Sequence, residues 1–461
     1  MDQIGSFESS DKLLNQIYKN AWWGINGNYK GMPLDCPQRN ERQPWLGDRS
    51  TPAKGESFLF DNHALYAKWL DDIRYSQRAD GAIPNVAPAF WRYYSDNMTW
   101  AGTYLMVADM VYRQFGDSMV IRHHYPHMKR WLNYMEANYL DERDIMTKDS
   151  YGDWCKPPVT IEAGRGKSAD RKYPSMLIST AYHYHYLQLM QDFAVVAGQE
   201  QDVAAYRAMA GRVKKAFNAT FYHPELASYG GNSLTDNLLA YSMDLVPDSL
   251  RDKVFNTIVH TIEVTNNGHL STGLVGVQWL MRAVSRGGRP DLAHRLATNT
   301  TYPSWGYMIK NGATAIWELW NGNTAAPNMN SYNHVMMLGD LMIWYYEDLA
   351  GIRTADDQPG FRKLIMQPQT GQLDYVNATY NSPYGTIKSH WKKSRKQLEW
   401  TIRIPENSSA MVHLPTSSPA SVTEGGRKLS QLSDEITLIS QDAKGVVVEI
   451  GSGEYTFSIQ Q

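Results

Sequence analysis

Two stretches of this chain gather side chains that can move protons and grip hydroxyls. The first reads Asp35-Cys36-Pro37-Gln38-Arg39-Asn40-Glu41-Arg42-Gln43-Pro44-Trp45-Leu46-Gly47-Asp48-Arg49. It sets the carboxylates Asp35, Glu41 and Asp48 and the guanidiniums Arg39, Arg42 and Arg49 around Trp45. Carboxylates accept hydroxyl hydrogens, and arginine orients them through forked hydrogen bonds. A neighbouring carboxylate raises a pKa and a neighbouring arginine lowers it. One acid can thus stay protonated near neutrality while others stay ionised. A solvated loop of ion pairs is the plainer alternative.

The second stretch is Asn311-Gly312-Ala313-Thr314-Ala315-Ile316-Trp317-Glu318-Leu319-Trp320-Asn321-Gly322. Glu318 is its single acid, set between two tryptophans in an apolar run. A carboxylate so placed either has a partner or does chemistry. Capping a helix or pairing with an arginine would be the structural uses. His334 follows at the start of an apolar segment, where a core role is the simpler reading. Hydrolysis of a glycosidic bond needs two carboxyl groups flanking that bond. One acid from each stretch, brought together by the fold, meets that need. Trp100 and Trp154 stand at helix entrances, where they either wall a sugar or pack the core.

The elements that must position these residues are mostly helices. Apolar residues at three-to-four spacing predict helices over about 13–25, 56–77, 99–115, 117–140, 176–197, 200–220, 234–245, 248–264, 271–285, 289–299, 304–310 and 332–350. Ser10 is the expected cap of the first. Gly198, Gly287, Gly288 and Gly351 are expected stops. Some of these helices are apolar nearly all round, and others, such as Val203 through Phe217, carry one charged face. Fully apolar helices belong inside and one-sided ones outside. Inner and outer helices in alternation predict an (α/α)6 barrel, with an ordinary bundle or a solenoid as alternatives. Pro33, Pro37 and Pro44 exclude a helix between the first two segments. Gly31 and Gly47 are expected to permit tight turns there. A long loop inside a compact domain is usually functional or disordered, and Cys36 and Trp45 argue against disorder.

After Gly351 the pattern changes to short alternating runs at 364–366, 386–391, 398–404, 410–414, 446–450 and 455–459. Clusters of Pro, Gly, Ser and Asn separate them. This predicts a C-terminal antiparallel β-sandwich. The expected domains are 1–355, helical, and 356–461, with the boundary near Pro359-Gly360-Phe361.

Composition narrows the function classes. The chain has 461 residues, 45 basic and 47 acidic, with a formal net charge of −2. No global field points to nucleic acid or an anionic membrane. The 15 Trp and 29 Tyr suit either an aromatic-rich core or sugar rings, which present a C–H face and hydroxyl edges. Cys36 and Cys155 are expected to be free, buried thiols, with one bridge between them as the alternative. Phosphate-loop, zinc-protease and serine-hydrolase motifs are absent. His123-His124 and His183-x-His185 lack the spacing that sets two ligands on one helix face. No run reaches the ~18 apolar residues of a membrane span. Met1 to Ser6 forms no leader, so a complete chain is expected in the cytoplasm. A chain cut from a longer one leaves the periplasm or secretion open.

Residues 35–42, 45 and 47–48 resemble the Asp-Cys-Pro-Gln-Arg-Asp-Glu-Arg loop, with its following Trp and Gly-Asp, of the bacterial α-L-rhamnosidases of glycoside hydrolase family 78. Residues 312–320 resemble that family's Gly-Ala-Thr-Thr-Ile-Trp-Glu-Arg-Trp. Tyr302-Pro303-Ser304-Trp305-Gly306 and Asn333-His334 are similar to it too. The resemblance covers nearly the whole chain. It implies an inverting hydrolase on an (α/α)6 barrel, with Glu41 as general acid and Glu318 as general base. It implies that Asp35, Arg39 and Asp48 grip the sugar hydroxyls. Trp45, Trp100 and Trp154 would line the pocket, and His334 would contact the sugar. A rhamnose-containing glycoside or oligosaccharide is the implied partner, with no metal or cofactor, and a homodimer stays open. Asn40, Leu319 and Asn321 depart from the family's usual Asp, Arg and Asp. Gln43-Pro44 and Arg49 also differ from its commonest pattern. The β-domains that typically precede the helical one are not in this sequence. Another deoxy-sugar or uronic-acid glycosidase, or a non-catalytic carbohydrate-binding protein on the same scaffold, are the alternatives.

Overall fold

The computed structural model describes residues 1–166, 175–328, 330–432, 436–442 and 445–460. Its helices follow the apolar periodicity. Met176–Val196 is buried on nearly every side, from Leu177 and Ile178 through Phe193 and Ala194. Its neighbour Val203–Phe221 buries only Tyr206, Ala210, Val213 and Phe217, spaced four, three and four apart. That is one face of a helix. The same inner and outer contrast separates Leu274–Arg286 from Asp248–His260. The helical part is the expected six-hairpin barrel.

Local chemistry corrects several boundaries. The first helix, Lys12–Gly27, is capped by Asp11 and not by Ser10. The Asp11 carboxylate accepts the N–H groups of Leu13 and Leu14 at 2.8 and 3.2 Å. The Ser10 hydroxyl instead accepts the Asp374 N–H at 2.8 Å and so ties the helix entrance to the sheets. The expected helix over 332–350 is broken. Its start pairs as extended chain, His334 opposite Ile316. Gly339 then turns at φ 53°, where a Cβ would stand 2.3 Å from the Val277 carbonyl oxygen. One 3₁₀ turn, Met336–Leu338, precedes that glycine, and helical turns resume after it at Leu341. Among the described residues no helix is long and apolar enough to cross a membrane.

All six expected C-terminal strands are present. Among the described residues the first sheet has seven strands: Gly5–Ser9, Tyr375–Ser382, Gly385–Lys393, Gln397–Ile404, Gly453–Gln460, Val422–Glu424 and Arg427–Lys428, in that order. The second runs Ile436–Asp442, Gly445–Ile450, Ser409–Leu414, Lys363–Met366 and Ile352–Thr354. Pairing is antiparallel except between Lys363–Met366 and Ser409–Leu414, which are parallel. Alternate residues of Ser409–Leu414 and Gly445–Ile450 are buried, as a sheet covered on one face requires. Two strands come from outside 356–461: Gly5–Ser9, paired with Tyr375–Ser382, and Ile352–Thr354. Trp391 and Ser389 donate to the carbonyls of Leu349 and Ala350 at 2.9 and 2.6 Å. The sheets thus satisfy the last helical carbonyls, which have no partner within their own helix.

Candidate active site

The loop after Gly27 folds back on itself. Asp35 N–H donates to the Gln43 carbonyl at 2.9 Å, and Gln43 N–H donates to Asp35 Oδ1 at 3.0 Å. The closure sets Arg39 and Glu41 at its tip. Gly31 makes the turn expected of it, at φ 77°. Gly47 does not. It sits in the short helix Leu46–Ser50, and a Cβ there would lie 2.3 Å from the Trp100 ring. Its smallness lets the indole lie against the backbone. Beneath the loop, Arg49 and Glu56 form a fully buried ion pair, and the hydroxyls of Tyr29 and Tyr66 also donate to Glu56 at 2.7 and 2.6 Å. A buried carboxylate needs such partners.

Glu318 lies where 316–319 runs beside 330–334. Its N–H donates to the Ser331 carbonyl, and Ser331 N–H donates back to Glu318 Oε2 at 3.0 Å. The same pairing holds His334, whose N–H reaches the Ile316 carbonyl at 2.8 Å. His334 Nδ1 accepts the Met336 N–H at 3.2 Å, which leaves Nε2 directed at Asp48 Oδ1, 3.6 Å away. Trp154 follows Asp153, whose buried carboxylate takes the N–H groups of Gly273, Val275 and Gly276 at 2.9–3.0 Å. That bond set caps Leu274–Arg286 and fixes the indole beside it.

All nine residues singled out in the sequence line one cavity of about 400 Å³: Asp35, Arg39, Glu41, Trp45, Asp48, Trp100, Trp154, Glu318 and His334. Tyr93, Tyr151 and Asn328 complete it. Tyr151 lies tilted against Trp100, with ring centres 4.3 Å apart. It is two residues from Asp153-Trp154, and Tyr93 lies in a proline-bearing aromatic run, so both carried a usable signal. Asn328 carried none.

Arg39 joins the two acids. It donates to Glu318 Oε2, and its other terminal nitrogen stands 3.9 Å from Glu41 Oε2. Glu318 therefore has the arginine partner that a structural use predicts, but the pair lies in the cavity wall. The Glu318 side chain is 4% exposed and the Glu41 side chain 27%. Trp45 Nε1–H donates to Glu41 Oε1 at 2.6 Å. Burial pushes the Asp35 carboxyl up to about 6, against the lowering bonds from Cys36 and Gln43. Burial, then the charges of Asp35 and Glu318, raise Asp48 well above the usual carboxylate range. Two adjacent carboxyls with such values can differ in protonation, one accepting and one donating a hydrogen bond.

Cys36 and Cys155 are free and buried, as expected. One group among the described residues could hold a metal ion: Asp71, His123 and His124, with ligand atoms within 4.8 Å of one another. None of the three lines the cavity, and Arg74 already occupies Asp71 Oδ1.

A six-hairpin helical barrel with paired acids and an aromatic-walled cavity defines a glycosidase-type domain. The family comparison makes this specific. Residues 2–349 match the bacterial alpha-L-rhamnosidase 6 hairpin glycosidase domain, and 351–428 match the bacterial alpha-L-rhamnosidase C-terminal domain. The chain belongs to the bacterial alpha-L-rhamnosidase family. It is 32% identical to an alpha-L-rhamnosidase of Streptomyces avermitilis, over 98% of this chain and 42% of that protein. The solved alpha-L-rhamnosidase from Dictyoglumus thermophilum superposes with a TM-score of 0.90 at 31% identity, covering 100% of this chain and 51% of that one. The Streptomyces avermitilis enzyme complexed with L-rhamnose also gives 0.90, at 30% identity, over 99% and 42%. The chain spans less than half the length of the curated relatives it matches.

Proposed function

We propose that this protein hydrolyses terminal α-L-rhamnosides with inversion at the anomeric carbon. The observation that carries the reading is the Glu41–Arg39–Glu318 chain across one cavity. Glu41 gives its proton to the glycosidic oxygen as the bond to the sugar breaks. Glu318 takes a proton from a water whose oxygen bonds to the anomeric carbon from the opposite face. Charge develops on the ring in an oxocarbenium-like transition state, which neighbouring carboxylates stabilise. Proton exchange with solvent then resets both acids. One guanidinium reaches both carboxylates, so their nearest oxygens stand no further apart than the roughly 9.5 Å limit of inverting pairs. Arg39 sets a positive charge directly against Glu318. The reaction so written uses only two carboxyl groups and water.

Rhamnose as the sugar is supported by the relatives named alpha-L-rhamnosidase, one of them complexed with L-rhamnose. Asp35, Asp48 and His334 face the ring hydroxyls, and Trp100, Tyr151 and Trp154 cover its C–H face. A uronate reading needs a free cation for the sugar's carboxylate, and the arginine in the cavity wall is already shared by two glutamates. Residues 1–355 carry the reaction, and 356–461 brace the barrel.

Proton NMR during cleavage tests the whole scheme. β-L-rhamnose should appear first and mutarotate later. The α anomer appearing first would overturn inversion, and no cleavage of any rhamnoside would overturn the activity.

The acidity of Asp35 gives a second check. Its carboxyl is protonated below about pH 6 and ionised above. An ionised Asp35 is the better hydroxyl acceptor. KM for a rhamnoside should therefore fall as pH rises through about 6. Asp35→Asn should raise KM and flatten that dependence. A KM profile identical in the variant would remove Asp35 from sugar binding.

A further inference from the structure

The barrel has a second cavity, and its lining is cationic. Ser242 ends the helix Leu234–Ser242, Arg251 stands near the start of Asp248–His260, and Trp279, Arg282 and Arg286 lie on Leu274–Arg286. With Tyr241 they line about 200 Å³. Among the described residues no acidic side chain shares that lining. The catalytic cavity has no residue in common with it. Leu274 N–H donates to the Trp154 carbonyl at 2.7 Å, so the third helix starts at the wall of the catalytic cavity. Arg282 and Arg286 come about 12 and about 18 Å further along its axis.

Each arginine is held by part of its guanidinium and leaves the rest open. Arg282 Nε reaches Asp340 Oδ2 at 3.2 Å, and its Nη2 reaches the Gln278 carbonyl at 3.0 Å. Arg286 spends Nε and Nη2 on Asp348 and Glu347 at 2.7–3.0 Å. Arg251 Nη1 donates to the Tyr241 carbonyl at 3.2 Å. Among the described residues, Nη1 of Arg282 and of Arg286 and Nη2 of Arg251 make no hydrogen bond. Ser242 Oγ is buried and has no partner among them either, a costly state for a hydroxyl. Two rings steady the cations. The Arg251 guanidinium lies 4.1 Å from the Tyr241 ring centre, and that of Arg282 lies 5.3 Å from Trp279. Cations held in place lose less freedom when a ligand arrives. Lys54, which pairs with Glu347, joins Arg282 and Arg286 in balancing the three buried acids. Arg251 is the surplus charge, with the exposed Asp244 3.8 Å from its Nη1.

We propose that this cavity binds a phosphate or sulfate group, free or carried by a small molecule. Arginine forks match oxyanions. A tetrahedral group has oxygens enough for three guanidiniums and the serine hydroxyl, and a carboxylate has two. The bound group would tie Asp248–His260 to Leu274–Arg286. The site stands apart from the two glutamates and does not depend on the rhamnosidase reading.

Calorimetric titration of the whole chain tests it. The ligands are inorganic phosphate, sulfate and glucose 6-phosphate, at one pH and one ionic strength balanced with sodium chloride. Saturable binding at one site is expected, with a Kd of about 1 mM or tighter. Tighter binding of the ester marks the group as carried, and tighter binding of the inorganic ions marks it as free. Arg251→Gln should weaken binding about tenfold or more, as the loss of a charge-assisted hydrogen bond does. Ser242→Asp should abolish it by placing a carboxylate in the cavity, and it leaves every arginine in place. Arg143→Gln, at an exposed arginine outside the cavity, should bind as wild type does. Circular dichroism shows which variants are folded, and Ser242→Asp decides the matter if Arg251→Gln is not. No saturable binding of any of the three ligands would overturn the site. Wild-type affinity in the folded Arg251→Gln and Ser242→Asp proteins would do the same. So would a loss in Arg143→Gln as large as that in Arg251→Gln, because the attraction would then be general surface charge.

Discussion

Glu318→Gln is expected to lower kcat by roughly 10²–10⁴-fold, the usual range for a lost general base. The glutamine amide oxygen can still accept the Ser331 N–H, so the local pairing of 316–319 with 330–334 survives. What is lost is the negative charge and the site for a water proton. Arg39 can still donate to that oxygen, and Glu41, 3.9 Å from its other terminal nitrogen, then carries the one negative charge of the pair. KM should move little, because the base acts on water and not on the bound sugar. The loss should be equally deep for rhamnosides with good and poor leaving groups, since every substrate needs the attacking water. A smaller variant, Glu318→Gly, opens room for azide, which needs no deprotonation to attack. Added azide should restore turnover and give β-L-rhamnosyl azide. Circular dichroism and the melting temperature confirm that the variants are folded. A folded Glu318→Gln enzyme that keeps more than a tenth of wild-type kcat would remove Glu318 as the base.

Much of the arrangement was legible because the informative residues are of unusual type for their surroundings. A single acid among tryptophans and a proline-broken run of acids and arginines stand out without any coordinates. The alternation of wholly apolar and one-sided helices gave the barrel for the same reason. Periodicity failed where tertiary contact overrides it. The apolar run over 332–350 looks like one helix, yet its first residues pair with 316–319, and Gly339 packs on the Val277 backbone. That break is what aims His334 at Asp48. Gly47 was read as a turn residue because small size and turning ability look alike in a sequence. Only the Trp100 ring above it separates them. The strand Gly5–Ser9 was missed because its partner lies some 370 residues away, and five residues carry too little pattern to claim an edge.

Composition could also not say which carboxyls of the first loop would be raised. The loop suggested that one acid would be held protonated by its neighbours. Asp35 and Asp48 are the ones raised, and burial leads in both. Burial depends on the closure between Asp35 and Gln43 and on the helix that carries Asp48. Neither can be counted from charges along the chain. Arg39 was read as a grip for hydroxyls. The fold gives it a second task, bridging acids that are 277 positions apart in the chain.

The assignment of acid and base to the two glutamates is separable by leaving group. Glu41→Gln should cut kcat/KM for methyl α-L-rhamnoside by roughly 10²–10⁴-fold. An alkoxide is a poor leaving group and needs its proton as the bond breaks. For 2,4-dinitrophenyl α-L-rhamnoside the loss should be under about tenfold, because a dinitrophenolate is stable without a proton donor. The amide can still accept the Trp45 N–H that Glu41 accepts at 2.6 Å, so a change in cavity shape does not account for the difference. The contrast with Glu318→Gln then carries the logic. A general acid shows a deficit that depends on the leaving group, and a general base shows one that does not. Equal losses on both substrates in Glu41→Gln would mean that Glu41 does not protonate the leaving oxygen. A leaving-group dependence in Glu318→Gln in its place would exchange the two roles. The two glutamine variants therefore test one geometry: the leaving group departs past Glu41, and water arrives beside Glu318.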